Sequence, residues 1–160
     1  MKFVTRKQII PTVYISIGLP GSGKTFWWDS AISHKKIPLD MSVYINPELL
    51  YKDMIVEGDF NINIINRFSL SHLKNALLLR KPIIYMDGNF ITLESRRPII
   101  NVAKKAQYKV VCLYFVVPKE VCYERTPNKK KLIDFAESQI IMNEPTCKEG
   151  FDDVWSIKNF

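Results

Sequence analysis

Eight consecutive residues, Gly18-Leu19-Pro20-Gly21-Ser22-Gly23-Lys24-Thr25, restrict what this chain can fold into more than any other stretch. They match G-x-x-x-x-G-K-[ST] at every fixed position. Such a loop needs an apolar strand before it and a helix after it. The sequence offers both, with a β-rich apolar run at 13–18 and a helical segment at 24–34. Glycines let backbone N–H groups approach an anion closely. The positive end of the following helix points at the same anion. The pattern predicts a nucleoside triphosphate site built by Gly18, Pro20, Gly21, Ser22, Gly23, Lys24 and Thr25. Lys24 is expected on the β- and γ-phosphates, and the Thr25 hydroxyl is a hard oxygen ligand suited to Mg²⁺. ATP and Mg²⁺ are the expected cofactors.

The rest of the chain supports an α/β domain. Strands are predicted at 13–18, 41–46, 82–87, 109–117 and 154–157, and helices at 24–34, 69–80, 92–107, 118–125 and 132–142. Asn46-Pro47-Glu48 reads as a further helix start, with Asn as N-cap and Pro in the first turn. Alternating apolar strands and helices imply a mostly parallel sheet of about five strands in a three-layer α/β/α arrangement. A length of 160 residues fits a single domain, with a small helical lid placed within 125–142. It also fits a stand-alone catalytic domain.

Composition excludes several other chemistries. Two isolated histidines, His34 and His72, do not assemble a zinc site or a Ser/His/Asp arrangement. Cys112, Cys122 and Cys147 lack metal-ligand spacing and read as free thiols in a reducing, cytoplasmic setting. Lys2, Arg6 and Lys7 ahead of the apolar run superficially resemble a signal peptide. That run is too short for one, and none approaches membrane length, so no membrane partner is expected.

A triphosphate loop can serve a motor, a switch or a kinase. The chain is short for a motor, and no Asn-Lys-x-Asp motif for guanine is present. A kinase needs acids near the metal and the acceptor, and cations on the transferring group. Asp87 ends an apolar strand, where a parallel sheet presents its ligand edge; the alternative is a turn or N-cap Asp. Glu48 falls at the same edge, or is simply a dipole-favoured acid at a helix start. Arg125 closes a helix before Pro127-Asn128-Lys129-Lys130-Lys131, either as a lid cation or as an ordinary C-terminal Arg. Phe26, Trp27 and Trp28 serve core packing or base stacking.

The net charge of +7 is unevenly spread: residues 96–131 carry +8 and residues 132–160 carry −4. The basic segment is either a solvated face or the contact surface for an anionic partner.

Four blocks give the chain a recognisable likeness. They are the phosphate loop with Trp27 and Trp28, Tyr44-Ile45-Asn46-Pro47-Glu48, Met86-Asp87-Gly88-Asn89-Phe90 with Arg96-Arg97, and Asn143-Glu144-Pro145-Thr146 with Glu149-Gly150-Phe151-Asp152. With these it resembles the kinase domain of phage and animal polynucleotide 5′-hydroxyl kinases. The resemblance implies ATP-dependent phosphoryl transfer to the 5′-hydroxyl of a nucleic acid. It places Glu48 on the family's general-base Asp, Asp87 on the acid that organises the acceptor side, and Arg125 on a lid arginine. Asn89, Arg96 and Arg97 become candidate acceptor contacts. Two positions depart from the family: Pro47 stands where an Arg is usual, and Lys129–131 replace a second lid arginine. A Lys supplies charge without a bidentate fork. Two other readings stay open: a kinase of a small molecule or mononucleotide, including zeta-toxin-like kinases, and an ATP-modulated nucleic-acid binding module without transfer.

Overall fold

Five apolar runs become strands because each supplies side chains to both faces of one sheet. The computed structural model describes residues 9–34, 36–47, 62–88 and 90–158. In chain order these form β1 (Thr12–Gly18), α1 (Lys24–Ser33), β2 (Ser42–Ile45), α2 (Ile62–Leu78), β3 (Ile83–Met86), α3 (Leu93–Lys105), β4 (Lys109–Phe115), α4 (Lys119–Arg125), α5 (Lys130–Met142) and β5 (Asp153–Ile157). All strand pairings are parallel, in the order β2-β3-β1-β4-β5. β1 is therefore central, and its carboxyl end opens directly beside that of β3.

Period-two alternation divides the strands between two cores. Val13, Ile15, Ile17, Ile84, Met86, Val110 and Cys112 face α2, α3, α4 and α5. Ile83, Tyr85, Val111, Leu113 and Phe115 face α1. The chain thus has helices on both faces of a wholly parallel sheet, the three layers expected. The layers are unequal, since α1 alone among the described helices contributes to the second core.

Most predicted elements lie within a few residues of the observed ones. The exception is α2, predicted from residue 69 and observed from Ile62. Its first turns carry Ile62, Ile64 and Ile65, whose β-branching is a weak helix signal. Ile65 is buried and its carbonyl accepts from Ser69 Oγ at 3.0 Å, which ties the early turn to the core stripe.

The fourth sequence block is a fastening. Arg96 on α3 is completely buried, with Nε and Nη2 on Glu149 at 2.6 and 2.9 Å. Nη2 also donates to Asn143 O at 2.8 Å, and Nη1 donates to Phe90 O at 3.0 Å. Thr146 and Glu149 form a capping box. Asp152 accepts from Val110 N at 2.8 Å, joining this turn to β4. These contacts correct the expectation that Arg96 meets an acceptor. Its guanidinium is committed to the connection between α5 and β5, where burial rewards full hydrogen bonding. Arg97, the next residue, is exposed and does not line the phosphate-loop cavity.

Candidate active site

The loop after β1 folds as its residue types require. Gly21 and Gly23 have φ of 81° and 94°, left-handed values that a side chain disfavours. Gly23 caps α1 without a side-chain hydrogen bond, and the first turn contains no acid. The positive end of α1 is therefore not offset by a local acid and suits an anion. Lys24 Nζ folds back on its own loop, donating to Gly18 O at 2.9 Å and Leu19 O at 3.1 Å. Tyr85 OH fixes the start of α1 by donating to Lys24 O at 2.8 Å.

Asp87 follows β3 and is 3% exposed. Its N–H donates to Ile45 O at 2.9 Å, which ties the carboxyl ends of β2 and β3 together. Two hydroxyls converge on its Oδ2: Thr25 Oγ1 at 2.7 Å and Tyr44 OH at 2.6 Å. Asn46 Nδ2 in turn donates to Tyr44 OH at 3.0 Å. Burial, followed by the hydrogen bond to Asp87, pushes the Tyr44 phenol up to about 12, so it stays a donor near neutral pH. Tyr85 is raised further, chiefly by burial and then by the Asp87 charge.

Sequence reasoning singled out Thr25 and Asp87 separately; the structure brings them into contact. This places Asp87 against the phosphate loop. Thr25 hydroxyl and Asp87 carboxylate are hard oxygen donors, a set that fits Mg²⁺, which keeps few protein ligands beside phosphates and waters.

These groups border a cavity of about 680 Å³. Gly18, Pro20, Gly21, Ser22, Gly23, Lys24 and Thr25 form one wall. Asn46, Asp87 and Ile91 lie on it too, with Arg125, Lys129, Leu132 and Phe135 from the α4–α5 region. Arg125 Nη1 reaches the loop, donating to Gly21 O at 3.1 Å. The helices bearing it are fastened together: Tyr123 OH donates to Asp134 Oδ1, Lys119 pairs with Glu137 at 3.4 Å, and Lys130 lies over the Tyr123 ring. Of the lysines at 129–131, Lys129 lines the cavity.

The aromatic run after the loop divides. Trp28 is buried and stacks on Tyr85 and Tyr44, with ring centroids 4.8 and 5.9 Å apart. Trp27 also stacks on Tyr85, at 5.8 Å. Both belong to the packing beneath the loop. Phe26 is 70% exposed and lines the cavity. Glu48 and Asn89 lie outside the described residues. The sequence reading gave Tyr44 no role. Its signal was its position on an edge strand, two residues before Asn46 and in register with Tyr85.

Ion pairs take up four cations of the basic segment. Arg96, Lys104, Lys109 and Lys119 pair respectively with Glu149, Asp152, Asp153 and Glu137. Lys104 lies in the last turn of α3 and Lys109 begins β4, at the sheet edge opposite the phosphate loop.

Known proteins agree with this architecture. No curated protein matches the chain. Among solved structures, a chain of the Pnkp1/Rnl/Hen1 RNA repair complex is similar, with a TM-score of 0.68 and 19% identity. The match covers 92% of this chain and 48% of that one, so this chain spans about half its length. Kti12 of Chaetomium thermophilum, solved with ADP-AlF3, has a TM-score of 0.70 and 16% identity over 91% of this chain and 88% of its own. Shikimate kinase of Acinetobacter baumannii has a TM-score of 0.61 and 15% identity over 94% and 86%. Among the described residues, no helix is long and apolar enough to cross a membrane. A family model described as an AAA domain matches residues 13–140. With its phosphate loop on the central strand of a parallel sheet, the chain belongs to this family and has the P-loop NTPase-type α/β fold.

Proposed function

We propose that the chain is a kinase that moves the γ-phosphoryl group of ATP to a hydroxyl acceptor, and that the acceptor is the 5′-hydroxyl end of a nucleic acid. The observation that carries the kinase reading is the convergence of Thr25 and Asp87 on the cavity wall, with Arg125 reaching the loop from the other side. The loop N–H groups cradle the phosphates. Lys24 exchanges the Gly18 and Leu19 carbonyls for phosphate oxygens. Thr25 and Asp87 would hold Mg²⁺, which would supply neutralisation of the phosphate charge. Arg125 meets the charge that develops on the transferring group.

The nucleic-acid acceptor draws support from the four sequence blocks and from similarity to a chain of an RNA repair complex. On this reading Glu48 takes the proton of the 5′-hydroxyl, and Asn89 and Arg97 are the remaining candidate acceptor contacts. A second reading, a small-molecule acceptor, is favoured by the dispersal of the basic segment into ion pairs away from the cavity.

Incubation with labelled ATP, Mg²⁺ and a panel of acceptors tests both. Label on 5′-hydroxyl oligonucleotides is the expected result. Label only on small hydroxyl compounds would transfer the assignment to the second reading. ATP binding with no product on any acceptor would overturn the kinase proposal.

A further inference from the structure

We propose that Tyr44 is a positioning residue, whose phenol holds the Asp87 carboxylate in the orientation that a nucleotide-bound Mg²⁺ requires. The inference rests on the reading of Thr25 and Asp87 as the metal-side pair.

The geometry is specific. Thr25 and Tyr44 approach the same carboxylate oxygen from two different elements, α1 and β2. One carboxylate oxygen, Oδ2, is thus doubly anchored. At 2.6 Å the phenol–carboxylate contact is in the range of strong, charge-assisted hydrogen bonds. The Thr25 anchor is not independent of the ligand, because its hydroxyl is itself offered to the metal. Tyr44 is the anchor that remains unaltered when Thr25 turns to that task.

Tyr44 is in turn held from two sides. Its ring stacks against Trp28 and Tyr85, at centroid distances of 5.9 Å each. Its oxygen accepts from Asn46, which lines the cavity. The same aromatic layer lies under the start of α1, where Tyr85 holds Lys24 O. The carboxylate and the phosphate loop therefore share one rigid floor. Partners behind a metal ligand typically contribute about 10–100-fold to metal affinity.

Tyr44→Phe removes the phenol and keeps the stacked ring. Calorimetric titration with ADP, with Mg²⁺ or with EDTA, separates the two contributions. In Tyr44→Phe the enhancement of ADP affinity by Mg²⁺ is expected to fall about tenfold. Metal-free ADP affinity should stay at the wild-type value, which also reports an intact loop. Equal enhancement in both proteins would overturn the proposal. So would a matching loss in both arms, because that is the signature of a damaged fold. Absence of any Mg²⁺ enhancement in the wild-type chain would overturn the metal-side reading along with the proposal. That outcome is distinct from equal enhancement, in which the metal site stands and only Tyr44 loses its role. The measurement requires no phosphoryl transfer, so the identity of the acceptor does not enter it.

Discussion

Arg96 and Arg125 belong to one basic segment but work in opposite surroundings. Arg96 is fully buried and spends its guanidinium on Glu149 and two backbone carbonyls. Arg125 ends α4, is exposed, and reaches across to the phosphate loop. The rest of the segment divides the same way. Lys104, Lys109 and Lys119 pair with acids of residues 132–160, whereas Lys129 stands at the cavity. The −4 of the C-terminal stretch is folded back onto the +8 that precedes it. A linear charge map therefore overstates the field available to a polyanion; among the described residues of the segment, Arg125 and Lys129 line the phosphate-loop cavity.

This division can be broken most sharply at Arg125. On the proposed mechanism Arg125→Ala lowers turnover by about 10³ or more, measured by steady-state phosphoryl transfer, with thermal stability retained. Arg125→Lys should recover only part of that loss, because a point charge lacks the fork. The reciprocal expectation holds for Arg96. Arg96→Ala removes a fully buried guanidinium, leaves the part-buried Glu149 without its ion-pair partner, and should cost about 3–5 kcal/mol of stability in urea titrations. ADP affinity of the folded fraction should not change. A variant that keeps its stability and loses ADP binding would reverse the roles assigned to the two arginines.

Salt dependence tests the same division on a smaller scale. For a single-stranded oligonucleotide, each phosphate contact contributes about 0.7 to the slope of log affinity against log salt. Lys129→Ala should reduce the slope by roughly that amount, and Lys105→Ala should leave it unchanged. Equal effects would restore the basic segment as one continuous surface.

The smallest effect concerns Lys104, whose ammonium holds the Asp152 carboxyl below its ordinary range. A depressed folded value stabilises above the unfolded carboxylate pKa and is lost as pH falls through the folded one. Both side chains are more than a third exposed, so the pair contributes at most about 1 kcal/mol. Lys104→Gln should therefore cost a few tenths of a kcal/mol at pH 7. The difference from wild type should shrink below about pH 4 in urea melts.

How much of this is legible in sequence depends on whether the determinant is local. The phosphate loop carries its own backbone requirements, so β1, the loop and α1 can be read from eight residues. Asp87 is legible because strand ends in a parallel sheet share one edge. Arg96 is a different case. It sits on the stripe Arg96, Ile99, Ile100, Ala103, all buried, and helical spacing alone puts it inward. Its charge argues the other way until Glu149, 53 residues later, is known to be its partner. Arg97, one step off that stripe, is the exposed member of the pair. Tyr44 fails to announce itself for the same reason: its phenol matters through Asp87, 43 residues away. The early start of α2 was hidden by isoleucines that a strand would equally use.

The central position of β1 has a consequence for the order in which the protein can be made. Thr12 pairs with Ile83 on one side and with Lys109 on the other, and Gly18 lies in register with Phe115. β1 is thus completed by strands that emerge roughly 70 and 100 residues after it. Pairings of such sequence separation form slowly, because long loops must close before any contact is gained. The aromatic floor of the phosphate loop is complete only once Tyr85 of β3, 61 residues after Lys24, has been made. Nucleotide recognition is therefore a late event in the birth of this chain, and a bound nucleotide analogue should slow unfolding while leaving the folding rate unchanged.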